Sequence, residues 1–248
     1  LGYRETGTLA ALGEAKIRVW KRPKVAVIST GDELIAPGEK MEMGKVFDSN
    51  STVIAHAVEE IGCEAVRFGI VPDDAEQLEA VLREALVLDF VLLSGGTSKG
   101  EGDLNYRVFE KFRNPGILVH GVSLKPGKPL CLAVLEGTPA AILPGFPTSS
   151  TFTFSKFIAP VLRKLAGLAA ERSAHVQAKI PVRLNSDKGR TEFNLVHLVR
   201  NEDGFSAYST GKGSGSITGF ARADGFMEIP RNTEMLEAGE ETTIHLLG

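Results

Sequence analysis

Short apolar runs alternate with amphipathic segments over residues 23–167, and this alternation most constrains the fold. The runs KVAVI (residues 24–28) and FVLL (residues 90–93) lack an in-out alternation, as is typical of parallel strands covered on both faces. Between them, residues 53–61 place their apolar side chains on one helical face and end at Gly62. We therefore expect an α/β domain at residues 23–167, with a mainly parallel sheet and helices on both faces.

The pattern changes near Ser173, where the alternation stops. The rest consists of short β-type runs broken by Gly, Asn and Asp turns, and it predicts a separate small all-β domain, a barrel or a sandwich, at residues 173–248. Residues 1–22 have no strong period and mixed charge, and we interpret them as a connecting arm from a missing N-terminal domain.

Composition excludes several classes of partner. The chain has 248 residues, 43% of them hydrophobic, and a net charge of −3, which gives no electrostatic footprint for nucleic acid or an acidic membrane. No apolar run approaches the roughly 18 residues of a membrane helix. Cys63 and Cys131 stand far apart, which indicates small apolar residues in a reducing compartment, and we expect a cytoplasmic protein. The five histidines have no ligand spacing.

A glycine-rich loop follows the predicted strand at residues 90–93. It begins with Ser94, Gly95, Gly96, Thr97 and Ser98 and closes on the carboxylate of Asp103. Glycines at the carboxyl end of a strand allow backbone N–H groups to converge on an anion, and such ends bind ligands in open α/β sheets. The alternative is a surface turn that needs glycine for its backbone geometry.

Polar and charged residues follow the other predicted strands. Thr30, Gly31, Asp32 and Glu33 follow the strand at residues 24–28, Asp73 and Asp74 follow one at residues 65–71, and Lys125 and Lys128 follow one at residues 117–122. At least one of the paired aspartates is expected to cap the next helix, and lysines on a turn commonly serve only solubility. Because parallel strands end at one edge of a sheet, that edge combines backbone donors, separated carboxylates and two lysines. Carboxylates suit Mg²⁺ and lysines neutralise phosphate oxygens, so the edge predicts metal-assisted binding or cleavage of a phosphate ester or anhydride.

Other catalytic signatures are missing from the sequence. It contains no GxxxxGK[ST], no GxGxxG and no nucleophile elbow, and it offers no plausible Ser–His–Asp set. Covalent catalysis is therefore not indicated.

Six motifs occur together in one order: STGDEL, DSNS, VPDD, SGGTSKGEGD, KPGKPL and LPGFP. In that order and spacing the chain resembles the molybdopterin molybdenumtransferase family, called MoeA in bacteria and matched by the E domain of gephyrin. The resemblance covers nearly the whole chain. It implies the molybdopterin-binding fold at about residues 23–167, a C-terminal β-barrel at about 173–248, and Mg²⁺-dependent insertion of molybdate into adenylylated molybdopterin with release of AMP.

The resemblance also implies roles for residues. The acids of the metal and molybdate site would be Glu33, Asp73 and Asp103, and the lysines on the anhydride or oxyanion would be Lys125 and Lys128. The cofactor-binding residues would be Thr30, Gly31, Ser94, Gly95, Gly96, Thr97 and Ser98, with Ser214 of the barrel as a weaker match. A homodimer that completes the site, and a contact with the adenylyltransferase of the same pathway, are further implied.

Two departures and two alternatives accompany the resemblance. Phe146 stands where the family commonly has an asparagine, and the family's usual elongated N-terminal segment does not precede residues 1–22. The resemblance implies that this segment completes the site, so we expect residues 1–248 alone to bind the ligand without turnover. One alternative is the molybdopterin adenylyltransferase, which uses the same loop with ATP but is usually a single domain. The other is a non-catalytic molybdopterin-binding or scaffold module, which would have no need for this set of acids and lysines.

Overall fold

The computed structural model describes residues 1–95, 104–170, 174–211, 215 and 217–247. The strands are β1 (Lys24–Thr30), β2 (Leu34–Ile35), β3 (Val46–Phe47), β4 (Glu64–Val71), β5 (Phe90–Gly95), β6 (Gly116–His120), β7 (Leu124–Lys125), β8 (Cys131–Leu135), β9 (Thr138–Leu143), β10 (His175–Lys179), β11 (Leu184–Asn185), β12 (Thr191–Asn201), β13 (Gly204–Ser209), β14 (Gly225–Ile229), β15 (Met235–Leu236) and β16 (Glu241–Leu246). The helices are α1 (Tyr3–Ala11), α2 (Ser49–Glu60), α3 (Ala75–Ala85), α4 (Leu104–Phe109), α5 (Pro147–Thr153), α6 (Ala159–Leu165) and α7 (Ile217–Arg222), with a π-helical stretch (Phe154–Ile158) joining α5 to α6.

A six-stranded sheet in the order β4-β1-β5-β9-β8-β6 forms the first unit. The pairs β4–β1, β1–β5 and β5–β9 are parallel, whereas β8 runs antiparallel to both β9 and β6. Strand β6 therefore points the same way as the parallel strands, and its carboxyl end reaches the same edge. The prediction of a mainly parallel sheet is confirmed.

Helices cover both faces of this sheet. Alternate residues of β1 and β5 enter two separate cores: Ala26 and Leu93 pack with α3 and α4, while Val27 and Leu92 pack with α2 and α6. All six residues of β5 are buried, as its unbroken apolar run predicts. The two free cysteines are buried, one in each core.

The chain changes direction across the sheet between β1 and β5. From β1 it passes through α2 to β4 on one side, and from β4 it returns through α3 to β5 on the other. In open α/β sheets, the crevice at the carboxyl ends of two such strands is where ligands bind. Thr30 and Gly95 end these two strands and are paired in register.

The second unit is a closed barrel of the five strands β12, β13, β10, β16 and β14, and the pairing of β12 with β13 completes the ring. Its core includes Val196, Met227 and Ile244, all fully buried. The prediction of a small all-β barrel after the α/β unit is confirmed.

One strand crosses from the first unit to the second. Strand β7, which follows β6 in the α/β unit, pairs in parallel with β12 at the edge of the barrel sheet. Beside it, Phe152 of α5 stacks on Phe193 of β12 at 5.1 Å and meets Phe226 of β14 edge-on at 5.1 Å. This aromatic cluster fixes the barrel against the helix that follows β9.

Helix α5 begins at Pro147, because a proline at the first helical position has its φ already set and needs no N–H partner. Helix α4 ends at Phe109.

The N-terminal arm contains α1, which has no buried residue. The arm meets the first unit where the Trp20 ring lies directly against Gly167, whose φ is +69°. Over the described part of the chain, no helix combines the length and hydropathy needed to span a membrane.

Candidate functional site

A buried asparagine joins the ends of β1 and β5. The Asn105 amide nitrogen donates to Thr30 Oγ1 at 3.0 Å and to the Gly95 carbonyl at 2.9 Å. Thr30 and Asn105 are both fully buried, so these bonds are protected from water. Gly95 has a φ of +119°, and a Cβ there would collide with the Thr30 carbonyl, so only glycine fits where β5 opens into the glycine loop.

The loops after β1 and β4 are tied together. The Asp73 N–H donates to Asp32 Oδ1 at 3.1 Å, which links the TGDEL and VPDD motifs at the carboxyl edge of the sheet. Asp32, Glu33 and Asp73 are all exposed. The Glu33 carboxylate folds back over Gly31, where a Cβ would lie 2.5 Å from Glu33 Oε2. The glycine therefore makes room for the carboxylate.

The segment after Glu33 is held by a short parallel ladder. Strand β2 pairs with β3, and the Val46 N–H donates to the Glu33 carbonyl at 2.8 Å. The Lys45 ammonium donates to the Asp32 carbonyl, which places a cation beside the acidic loop.

Asp74, not Asp73, caps helix α3. Its Oδ1 accepts from the N–H groups of Glu76 at 3.0 Å and Gln77 at 2.8 Å. In the described residues the Asp73 carboxylate has no ion-pair or hydrogen-bond partner, so it is available to a ligand.

A second asparagine connects β5 to the loop after β9. The Asn50 amide nitrogen donates to Ser94 Oγ at 2.9 Å and to the Gly145 carbonyl at 2.8 Å. Asn50 lies in the first turn of α2, whose cap is Asp48 through its bond from the Ser51 N–H at 3.0 Å. The start of the glycine loop is thereby fixed in position relative to LPGFP.

The lysine turn packs against α5. Gly127, between the two lysines, has a φ of +122°, and a Cβ there would lie 2.6 Å from Thr153 Cγ2. The turn thus follows β6 at the carboxyl edge and also touches the helix that follows β9. With strands about 4.8 Å apart, the ends of β4 and β9 are separated by roughly 14 Å, which suits an extended ligand.

The two lysines of this turn differ in their surroundings. Lys125 Nζ forms ion pairs with Asp187 at 2.8 Å and with Glu192 at 3.3 Å, both from the barrel unit. Lys128 is exposed and has no ion-pair partner among the described residues. The Glu192 side chain is only 4% exposed and also accepts from Ser186 Oγ at 2.9 Å.

The pKa of Lys125 reflects this pairing. Partial burial acts to lower the pKa, but the hydrogen bond to Asp187 and the charge of Glu192 outweigh it, so the pKa lies above its ordinary value. Lys125 is therefore a fixed positive charge whose field is largely compensated by its two partners.

The structure brings together most of the predicted site residues that it describes. Thr30, Gly31, Ser94 and Gly95 meet at the β1–β5 crevice, with Glu33 and Asp73 beside them on the β1 and β4 loops. Gly96, Thr97, Ser98, Asp103 and Ser214 lie outside the described residues. Within the described ranges, no group of three His, Cys, Asp or Glu side chains is arranged to hold a metal ion.

Sequence reasoning missed three polar residues of this site: Asn50, Asn105 and Lys45. Asn105 lies 75 residues from Thr30 and Asn50 lies 95 residues from Gly145, so no local pattern marks either contact. In the sequence, Asn50 was marked only as part of the DSNS motif.

Two protein families match separate parts of the chain. A family described as "Probable molybdopterin binding domain" matches residues 26–164, and one described as "MoeA C-terminal region (domain IV)" matches residues 177–247.

Individual proteins similar to this chain carry names consistent with these two families. The chain is 32% identical over 248 residues to the "Molybdopterin molybdenumtransferase" of Haemophilus influenzae, covering 97% of this chain and 61% of the relative. It is 30% identical over 287 residues to "Gephyrin" of Dictyostelium discoideum, covering all of this chain and 40% of the relative. A crystal structure of the molybdopterin biosynthesis MoeA protein from Pyrococcus horikoshii matches with a TM-score of 0.84 and 37% identity, over 99% of this chain and 60% of that chain.

The chain thus spans about three fifths of the bacterial relative's length. The matches follow both units in order, and the sheet edge that carries the motifs lies in the first of them. The chain belongs to the molybdopterin-binding domain family, with the C-terminal region of MoeA proteins following that domain.

Proposed function

We propose that this chain takes part in the Mg²⁺-dependent insertion of molybdate into adenylylated molybdopterin, with release of AMP, as the ligand-binding portion of the full-length protein. The observation that carries the proposal is the bond from the Asp73 N–H to Asp32 Oδ1. It holds two acidic loops together beside the β1–β5 crevice and leaves the Glu33 and Asp73 carboxylates exposed. The named relatives support the reaction.

The carboxylates fit a magnesium ion by their chemistry. Mg²⁺ takes hard oxygen ligands, usually from one or two carboxylates together with substrate phosphates and water, so it does not need a cage of protein ligands. Glu33 and Asp73 would supply carboxylate oxygens, and Asp103 is the expected third acid. When bound, the ion would neutralise charge on the phosphate oxygens of the substrate.

The crevice residues would hold the pterin's phosphate. Gly95 directs the chain away from β5 with a backbone conformation that side chains rarely adopt, and Gly96, Thr97 and Ser98 would continue as the anion-binding loop. Asn105 and Asn50 keep the ends of β1 and β5 in place, which pre-orders the backbone donors.

On the far side of the crevice, Lys128 would contact the anhydride or the oxyanion, since its ammonium is exposed and unpaired within the described residues. Lys125 would act mainly by fixing the turn, because its ammonium is held by Asp187 and Glu192. In the proposed reaction, a water oxygen adds to one phosphorus of the anhydride between the pterin phosphate and AMP, the P–O bond breaks and AMP leaves. The two dithiolene sulfurs bind the molybdenum in exchange for oxygen ligands of molybdate, which take up protons and leave as water. The lysine and the backbone donors would stabilise negative charge on the phosphates as they separate.

The proposal is tested by incubating the full-length protein with adenylylated molybdopterin, Mg²⁺ and molybdate and measuring AMP. We expect AMP to form without ATP, and we expect Asp73→Ala and Asp103→Ala each to abolish its release. Asp74→Ala is the matched control, since Asp74 caps α3 and should leave turnover intact. Undiminished release by both site variants would contradict the assignment.

The same assay separates the alternatives. Consumption of ATP with free molybdopterin would favour an adenylyltransferase, and the match of residues 177–247 to the MoeA C-terminal region supports the molybdenumtransferase instead. Binding of the substrate without AMP release by the full-length protein would favour a scaffold.

We further propose that the working protein is a cytoplasmic homodimer that exchanges its substrate with the adenylyltransferase of the same pathway. Analytical ultracentrifugation of the full-length protein tests the dimer, and a sedimentation coefficient of a monomer at micromolar concentration would refute it.

A further inference from the structure

Phe146 is an exposed aromatic residue at the carboxyl edge of the sheet. Its side chain is 62% exposed, although it lies between two buried segments, β9 before it and α5 after it. We propose that Phe146 is a substrate-specificity residue whose ring stacks on a planar heterocycle of the bound ligand. The inference rests on the function proposed above, since it takes the ligand to carry a pterin and an adenine.

The backbone around Phe146 is fixed on both sides. The carbonyl of Gly145 accepts from the Asn50 amide at 2.8 Å, and the same amide donates to Ser94 Oγ at 2.9 Å. On the other side, the Phe146 carbonyl accepts from the Ser150 N–H at 2.9 Å, which starts α5. Asn50 therefore sets the position of Phe146 relative to the start of the glycine loop, where the phosphate is expected.

The ring is mostly exposed. Gly215 of the barrel unit lies close to it, since a Cβ built there would lie 3.6 Å from Phe146 Cδ1 and 3.8 Å from Cε1. Gly215 therefore lies beside one side of the ring, while more than half of the side chain is open to solvent. Among the described residues no other aromatic ring contacts it.

Phe152 of α5 is a phenylalanine that packs between the two units, and it can be compared with Phe146. It is 3% exposed and contacts the rings of Phe193, Phe220 and Phe226. Both phenylalanines lie near the barrel, yet only Phe152 enters the aromatic cluster. Packing between the units thus accounts for Phe152, whereas among the described residues Phe146 takes no part in that aromatic cluster.

Stacking on the ligand would account for an exposed ring whose backbone is fixed at the carboxyl edge of the sheet. Ligand sites are lined by aromatic side chains with few polar groups to fix orientation, and Asn50 and Ser94 are the polar side chains held near Phe146. Aromatic side chains prefer offset stacks with other π systems. Stacking of one heterocyclic base on an aromatic residue contributes enough that alanine substitution weakens binding by roughly 5- to 150-fold.

The test is direct binding to the full-length protein of two probes: a phosphorylated oxidised pterin, followed by its fluorescence, and AMP, followed by calorimetry. Phe146→Leu keeps apolar bulk without the aromatic face, and Phe146→Tyr keeps the face. We expect Phe146→Leu to raise the Kd of one probe roughly 5-fold or more and Phe146→Tyr to stay within about twofold of wild type. Tyr208→Ala, which removes an exposed ring on the barrel, is the control and should change neither Kd.

The outcomes separate this inference from the function on which it rests. Loss confined to the pterin probe identifies the pterin as the stacked ring, and loss confined to AMP identifies the adenine. Equal binding of both probes by wild type and Phe146→Leu would overturn the stacking role while leaving the proposed function standing. Failure of wild type to bind either probe would instead count against the proposed function.

Discussion

The two sides of the candidate site are built differently. On the acidic side, Glu33 and Asp73 extend from the ends of β1 and β4, exposed and without ion-pair partners in the described residues. On the basic side, the Lys125 ammonium is already engaged by Asp187 and the buried Glu192 of the barrel. The acidic side is therefore free to meet a ligand, whereas Lys125 serves to join the two units.

This difference shows that residue type alone does not define a site. All of these charged residues follow strands at one edge of the sheet, so the sequence treats them alike. A charged side chain that is already paired within the protein stabilises the fold, whereas an unpaired one is available to a ligand. Which of the two applies depends on residues far away in the chain.

The largest effect is expected on the acidic side. Glu33→Gln should lower the rate of AMP release by roughly 100-fold or more, because it removes a charged carboxylate that we propose as a ligand of the metal. The free energy of unfolding should stay nearly unchanged, since the carboxylate is exposed. Steady-state kinetics measure the rate of AMP release, and urea denaturation measures the free energy of unfolding. A loss of stability with intact turnover would show that Glu33 serves the fold and not the ligand.

Lys125→Met should lower the stability of the protein more than its turnover. It leaves the buried Glu192 carboxylate without its counter-charge, and we expect the free energy of unfolding to fall by about 3 kcal/mol. Urea denaturation at pH 7 measures it. Lys188→Met is the matched control, because Lys188 and Glu234 pair on the exposed surface and should contribute little. Equal stability of Lys125→Met and wild type would show that the Lys125 pairs do not hold the units together.

The same ion pairs predict that the stability difference between wild type and Lys125→Met changes with pH in the alkaline range. The pKa of Lys125 is raised in the folded protein above its ordinary 10.5, so its stabilising contribution is complete below that pH and is lost as pH rises through the raised value. The difference in unfolding free energy between wild type and Lys125→Met should therefore narrow above about pH 10.5. Urea denaturation between pH 9 and 11.5 measures it, and a constant difference across this range would argue against the ion pairs as its source.

The smallest expected effect separates two neighbouring aspartates. Asp74→Ala should lower the free energy of unfolding by about 1 kcal/mol through loss of the α3 cap, with turnover preserved. Asp73→Ala should change stability by less than about 0.5 kcal/mol, because Asp73 contributes its backbone N–H to the loop contact. Thermal unfolding compares them, and similar losses in both variants would contradict the division between cap and ligand residue.

The sequence predicted the architecture well because the signals for it are local. The apolar run of β5, the helical face of α2 and the turn-rich texture after residue 173 each reflect nearby residues, and the structure confirms the sheet and the barrel that they indicate. The polar framework of the site was not predictable in this way. The contacts of Asn105 with Thr30, and of Lys125 with Glu192, join positions 75 and 67 residues apart, and their partners are fixed only once the units have packed.

The most direct test of the account is binding of Mn²⁺, as a substitute for Mg²⁺, to the full-length protein in the presence of AMP, measured by electron paramagnetic resonance. We predict that wild type and Lys125→Met bind the ion with similar affinity and that Asp73→Asn loses at least about 10-fold. Unchanged binding by Asp73→Asn, or its loss in a folded Lys125→Met variant, would contradict the claim that ligand chemistry resides on the acidic side and that Lys125 belongs to the fold.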